Sequence, residues 1–226
     1  MLKNKQGIEF ANAILDQMDI EMDVQGEENI PSDNSRLIVV ANHPLGALDA
    51  LVLISVVGKK RPNIRIFARG ILGNIEQLKN LLVSVDEDES QMQRYKRYRQ
   101  IFTSDNTLLS FPAGICSRKK KGQVKDREWE KSFVMIAKKY QRNILPVYFD
   151  VTNSNRFYQI ANLREFLRIP INLEKFLLID ELIKKKESKI PMWIGKPIHF
   201  DSLTSDFSPH QWAQKIQDIT YGLKPN

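Results

Sequence analysis

The residues best suited to chemistry lie in one short stretch, Asn42-His43-Pro44-Leu45-Gly46-Ala47-Leu48-Asp49. A histidine has an unperturbed pKa near ~6.5, so its ring can take up a proton at neutral pH. An aspartate accepting from one ring nitrogen fixes the tautomer and leaves the other nitrogen as a general base. On one regular helix, six positions separate two side chains by about 240° around the axis and about 9 Å along it, too far to touch. Pro44 and Gly46 supply a turn that folds the chain back, and a carboxylate in the first turn of a following helix is electrostatically favoured there. His43 as base and Asp49 as its orienting partner is one reading. A buried polar pair that only closes a turn fits the same spacing, and spacing alone leaves both open.

A second stretch, Leu109-Ser-Phe-Pro-Ala-Gly-Ile-Cys-Ser-Arg-Lys-Lys-Lys121, ends a strand at a Pro112-Ala113-Gly114 turn and continues through Ser117, Arg118 and three lysines. Backbone N–H groups exposed at such a turn, those near Gly114 included, can face an oxyanion. A guanidinium can grip a phosphate or carboxylate with two parallel bonds. An ordinary basic loop is the alternative. Two such loops, each following a strand, make an anion site beside a base a joint expectation. Cys116, the single cysteine, is either a small buried filler or a nucleophile served by His43. His199 and His210 stand alone.

The elements that must position these residues follow from hydrophobic period. Arg36–Asn42, Asn63–Ala68, Thr107–Phe111 and Ile144–Phe149 read as strands, with a short one at Leu82–Val85 and an extended segment at Pro191–Phe200. Helical spacing marks Gly7–Met18, Ala47–Val57, Ile71–Leu81, a basic Gln91–Phe102, Arg127–Tyr140, Asn155–Leu167 and Leu173–Lys186. Ser208 opens a last helix with Pro209 at its first position. Strands alternating with helices predict a single α/β domain with a central, mostly parallel mixed sheet flanked by helices. Sites in such sheets form beyond the carboxyl ends of the strands, where His43 falls.

The chain has 226 residues, 42% of them hydrophobic, with 10 Gly and 10 Pro. That supports a real core and argues against a disordered chain. Lys and Arg outnumber Asp and Glu by 34 to 27, a net charge of +7. This excess favours anionic partners: phospholipid, nucleic acid, coenzyme A phosphates or an acidic carrier protein. One cysteine excludes an intramolecular disulfide and a zinc site of several thiolates. No apolar run approaches the ~20 residues of a membrane span, and Met1–Phe10 lacks a signal-like apolar stretch. The expectation is a cytoplasmic protein. Arg156–Arg168 and Asn172–Lys186 mix basic and apolar residues, which suits either an interfacial helix or a core helix with a basic edge.

Asn42-His43-Pro-Leu-Gly-Ala-Leu-Asp49 resembles the first block of the glycerolipid and lysophosphatidic acid acyltransferase family (PlsC-like). Phe111-Pro-Ala-Gly-Ile-Cys-Ser-Arg118 resembles its third block, usually Phe-Pro-Glu-Gly-Thr-Arg-Ser, and Leu145-Pro-Val-Tyr148 its fourth. The order and spacing agree over roughly residues 36 to 150. Two departures stand out: five residues rather than four separate His43 from Asp49, and Ala113 replaces the usual glutamate. Both are similar to the hemolysin-related branch, which includes O-acyltransferases of amino-acid-containing lipids. The second block, which positions glycerol phosphate in many members, is poorly matched, with Arg69 the nearest candidate.

The resemblance implies one acyltransferase domain over 1–226, with the motif-bearing core at about 36–150 and C-terminal helices and strand at 155–222. It implies a fatty acyl group moved from acyl-CoA or acyl-carrier protein to a hydroxyl of a lysophospholipid-like or acylated amino-acid lipid. His43 and Asp49 are then catalytic. Asn42, Gly46, Arg69, Phe111, Pro112, Gly114, Ser117, Arg118 and Lys119 form the substrate site. No bound cofactor or metal is expected, nor nucleic acid as a partner. The protein would sit peripherally at the inner face of the membrane. The competing readings are a Cys116–His43 acyl hydrolase and a non-catalytic basic membrane-binding module.

Overall fold

Five apolar residues in a row need burial on both faces, and Leu37–Ala41 has it at every position. A computed structural model describes residues 2–67, 72–83, 90–120, 122–167 and 174–224. Its strands are β1 (Glu21–Gln25), β2 (Leu37–Ala41), β3 (Ile64–Ile66), β4 (Thr107–Ser110), β5 (Arg118–Lys120), β6 (Gln123–Lys125), β7 (Asn143–Phe149) and β8 (Lys189–Ile194). Its helices are α1 (Gly7–Gln17), α2 (Ala47–Lys60), α3 (Gln91–Thr103), α4 (Ser132–Tyr140), α5 (Asn155–Phe166), α6 (Glu174–Lys184) and α7 (Pro209–Tyr221). Six strands form one sheet in the order β1-β8-β7-β2-β4-β3. Every neighbouring pair is parallel except β7 and β8. This is the mostly parallel mixed sheet the sequence predicts.

Alternation along β2 divides the core. Leu37, Val39 and Ala41 face α1 and α2 through Leu15, Leu48 and Val52. Ile38 and Val40 face α4 and α7 through Phe133, Ala213 and Ile216, with Trp129 just before α4 in the same cluster. Helices thus cover both faces, and the carboxyl ends of β2 and β4 open onto the loops that carry His43 and Phe111.

Arg142 is fully buried just before β7 and donates to the carbonyls of Leu37, Ile101, Phe102, Ser104 and Asn106. It satisfies the orphan carbonyls at the end of α3 and ties that helix to the start of the sheet.

Several expectations change. The span read as a helix over 71–81 forms two short 3₁₀ turns, Leu72–Asn74 and Glu76–Leu78. Gly73 and Asn74 are poor helix formers in its first turn. Residue 71 lies outside the described residues. The strand expected at 82–85 is a single bridge from Leu82 to Ile66, with 84 and 85 outside the described residues. Residues 127–131 are not helical, and α4 begins at Ser132. Two elements went unforeseen: the polar edge strand β1 and the antiparallel β5–β6 ribbon. Among the described residues no helix is long and apolar enough to cross a membrane.

Candidate active site

β2 stops at Ala41, and Gly46 turns the chain at φ +83° before α2 begins. A side chain at Gly46 would be strained by that backbone and would place its Cβ 3.1 Å from Cys116 Sγ and 3.3 Å from Leu178. The turn brings Asp49, on the first turn of α2, under the imidazole. His43 Nδ1 lies 3.1 Å from Asp49 Oδ2. The same oxygen accepts from the N–H groups of Leu45 at 2.8 Å and Gly46 at 3.0 Å. Asp49 is fully buried, and its Oδ1 has no hydrogen-bond partner among the described residues. Burial pushes the Asp49 carboxyl upward, while the bonds from His43 and the two backbone donors pull against it. Two backbone donors converging on one oxygen favour a carboxylate. A carboxylate there favours the tautomer with the proton on Nδ1, which leaves the Nε2 lone pair free.

The His43 ring stacks on Phe111, with centroids 4.2 Å apart and planes 24° from parallel. Its side chain is 17% exposed, so the ring is sheltered without being sealed. The two loops are joined by backbone, Ser117 N–H donating to His43 C=O at 2.9 Å.

A residue the sequence reading passed over organises both loops. Asp126, buried just after β6, accepts from Ser117 Oγ, from Trp129 Nε1 at 2.9 Å and from the His43 N–H at 3.3 Å. Burial raises its carboxyl, while the bonds from Ser117 and Trp129 and the nearby imidazole draw it back. Its own N–H donates to Tyr221 Oη at 2.8 Å, linking the site to α7. In the sequence it is one charge among Lys125, Arg127, Glu128 and Glu130, and no pattern singles it out.

The remaining predicted residues separate. Asn42 spends its side-chain amide on the backbone of Phe149, donating at 2.9 Å and accepting at 2.7 Å, so it latches β2 to β7. Pro112 is buried, and its carbonyl accepts from Glu130 N–H. Gly114 is exposed at φ +69°, but its N–H closes the turn onto Phe111 C=O at 3.0 Å and is not an oxyanion donor. Ser117 is buried against Asp126. Arg118 is also buried, and Nη1 bends back onto the Cys116 carbonyl at 2.8 Å. Lys119 Nζ bonds Asn155 at the start of α5, at 2.7 Å. Arg69 lies outside the described residues. The cation found at the turn is instead Arg127, unforeseen in the sequence. Nε donates to Ala113 C=O at 2.6 Å, and Nη2 lies 3.4 Å from where a Gly114 Cβ would stand. Cys116 is buried, and burial pushes its thiol up to about 12, with the nearby Asp49 charge adding to the effect. A thiol so protonated is a poor nucleophile. Among the described residues, no group of three His, Cys, Asp or Glu is arranged to hold a metal.

A histidine–aspartate pair at the carboxyl end of a parallel strand, stacked against a Phe-Pro turn, matches the resemblance drawn above. The family model described as Acyltransferase matches residues 3–226, and the chain belongs to that family: it is an acyltransferase. Among curated relatives it is 35% identical to a lyso-glycine lipid O-acyltransferase of Phocaeicola vulgatus, over 98% of this chain and 80% of the relative. It is 32% identical to a lyso-glycine lipid O-acyltransferase of Bacteroides thetaiotaomicron, over 98% of this chain and 82% of the relative. The fold is similar to the crystal structure of the 1-acyl-sn-glycerophosphate (LPA) acyltransferase PlsC from Thermotoga maritima. That match has a TM-score of 0.60 at 18% identity and covers 96% of this chain and 76% of that one.

Proposed function

We propose that this acyltransferase moves a fatty acyl group from a thioester, acyl-CoA or acyl-carrier protein, to a hydroxyl of a lysolipid whose head group is an amino acid. The lyso-glycine lipid O-acyltransferases among its relatives support that acceptor class. The absence of the usual glutamate at Ala113 argues against a plain glycerol phosphate acceptor. The observation that carries the chemistry is the 3.1 Å contact between His43 Nδ1 and Asp49 Oδ2. It supports the tautomer in which Nε2 accepts a proton.

His43 Nε2 takes the acceptor's hydroxyl proton as that oxygen attacks the thioester carbonyl. The tetrahedral intermediate collapses, the C–S bond breaks, and the imidazolium returns the proton to the departing thiolate. Asp49 stabilises the imidazolium between the two steps. Binding both substrates together makes a covalent acyl-enzyme unnecessary. Arg127, beside Gly114, is the cation proposed to meet an anionic group of donor or acceptor, with Phe111 shaping the floor. The whole chain acts as one domain, lying peripherally at the inner face of the membrane that holds its acceptor.

The test is His43→Ala. A positioned base contributes ~10²- to 10⁴-fold, so transfer should fall by that order with melting temperature unchanged. Wild-type turnover in the variant sinks the mechanism. Mass spectrometry of lipid extracts from cells with and without the active protein names acceptor and chain together.

A further inference from the structure

Large apolar side chains left in water concentrate on one part of the surface. Of the ten exposed among the described residues, five lie on α5 and α6 or directly after α5: Leu163, Phe166, Leu167, Ile179 and Ile183. Phe166 is 82% exposed, the most of any. Helical spacing puts 163, 166 and 167 on one face of α5, and 179 and 183 on one face of α6. The opposite faces, through Phe157, Tyr158, Leu177 and Leu178, pack around Cys116. Both apolar faces therefore point away from the same small core.

The pair is firmly held. Glu181 of α6 accepts from the Ser154 hydroxyl and N–H just before α5, both at 2.6 Å. It also sits over the site, since Leu178 lies 3.3 Å from the position of a Cβ on Gly46, inside the His43–Asp49 turn. A cationic ribbon runs alongside. Residues 119–125 carry four lysines and no acid, with Lys125 paired to Asp218 of α7 at 3.7 Å. Asn155 and Asn162 of α5 bond the side chain and carbonyl of Lys119 in that ribbon.

We propose that the outward face of the α5–α6 pair docks on an anionic phospholipid surface, its apolar side chains entering the interface while the β5–β6 ribbon meets the head groups. Apolar residues beside clustered cations are the chemistry of interfacial binding. The placement keeps the His43 turn one helix layer from the interface that contains a lipid acceptor, since Leu178 of α6 packs against Gly46. To that extent the inference rests on the function proposed above. A second copy of the chain is a poorer fit, because it would set one cationic ribbon against another.

The test is flotation of the full chain with vesicles of phosphatidylcholine alone and of phosphatidylcholine with phosphatidylglycerol, beside transfer to a short-chain, monomeric acceptor. The wild-type protein should float with the anionic vesicles, and less so at high salt. Phe166→Asp with Ile183→Asp should lower partitioning by roughly ten- to a hundred-fold per apolar side chain lost. Transfer to the monomeric acceptor should stay at the wild-type rate, which also shows that the variant is folded. If the aspartates unfold it, Phe166→Ser with Ile183→Ser serves the same comparison. Equal flotation of variant and wild type overturns the proposal, as does no flotation of the wild type. So does a lipid-free dimer that the substitutions dissociate, which would make this face a seat for a second copy. Flotation without transfer to any acceptor would leave the docking surface standing and remove the enzymatic reading.

Discussion

Replacing Asp49 with asparagine separates geometry from charge unusually cleanly in this site. All three bonds to the Asp49 carboxylate fall on Oδ2, while Oδ1 has no hydrogen-bond partner among the described residues. The Leu45 and Gly46 N–H groups demand an acceptor where Oδ2 stands, so they orient an asparagine with its oxygen there. The amide nitrogen then occupies the Oδ1 position, and His43 Nδ1–H keeps its acceptor and its tautomer. What disappears is the negative charge facing the imidazolium. At 3.1 Å and an effective dielectric near ~20, that charge is worth about 5 kcal/mol, of which an amide dipole restores a part. A net loss of about 3–4 kcal/mol corresponds to roughly two to three decades of rate. Rapid-mixing measurement of thiol release from the donor should show kcat reduced by ~10²- to 10³-fold, with KM within about two-fold of wild type. Asp49→Ala should in addition lower the melting temperature, because two backbone donors lose their acceptor. Wild-type kcat in Asp49→Asn would refute the role. So would a tautomer shift, seen as loss of the Nδ1–H signal in nitrogen-15 spectra.

Asp126→Ala removes the acceptor for Ser117 Oγ, Trp129 Nε1 and His43 N–H. Urea denaturation should show a loss of about 3 kcal/mol or more, and turnover should fall because both loops are freed; a loss under about 1 kcal/mol contradicts the bridging role. Cys116, pushed up to about 12 from an ordinary 9.0, should react with maleimide at pH 8 roughly 10³-fold more slowly in the folded protein than a free thiol. The raised value also sets a sign: below pH 9 the thiol is neutral in both states and neutral for stability. Above pH 9 the unfolded state alone ionises, so stability should fall by about 1.4 kcal/mol per pH unit through 12, an increment that Cys116→Ala should abolish while keeping transfer activity. Arg142→Met removes a buried donor shared by five carbonyls, and a loss of about 3 kcal/mol or more in urea is expected; an unchanged midpoint would contradict it.

Much of this was legible because local chemistry and tertiary role coincide. Leu37–Ala41 has only one comfortable home, a strand covered on both faces. Pro44 and Gly46 announce the turn that joins His43 to Asp49, and Ser208-Pro209 announces α7, whose Ser208 cap is present. The failures arise where the fold overrides the local pattern. Arg118 stands where the resemblance puts an anion-gripping residue, yet in a three-residue strand nothing local says which side it faces, and it turns inward. Asp126 gains its meaning only when a basic ribbon lays it beneath two other loops. β1 has no apolar run to reveal it, because an edge strand is half solvated.

That edge strand has a consequence for how the chain is made. Among the described residues β1 pairs only with β8, Glu21 opposite Lys189, and Asn29 reaches across to the carbonyl of Ile194. β1 thus leaves the ribosome well before the strand it pairs with. At about 5–20 residues per second, the interval is roughly ten to thirty seconds. Throughout it, one edge of the nascent sheet lacks its mate. The short polar make-up of Glu21-Met-Asp-Val-Gln25 suits that delay, since a stickier segment would invite pairing with other unfinished chains.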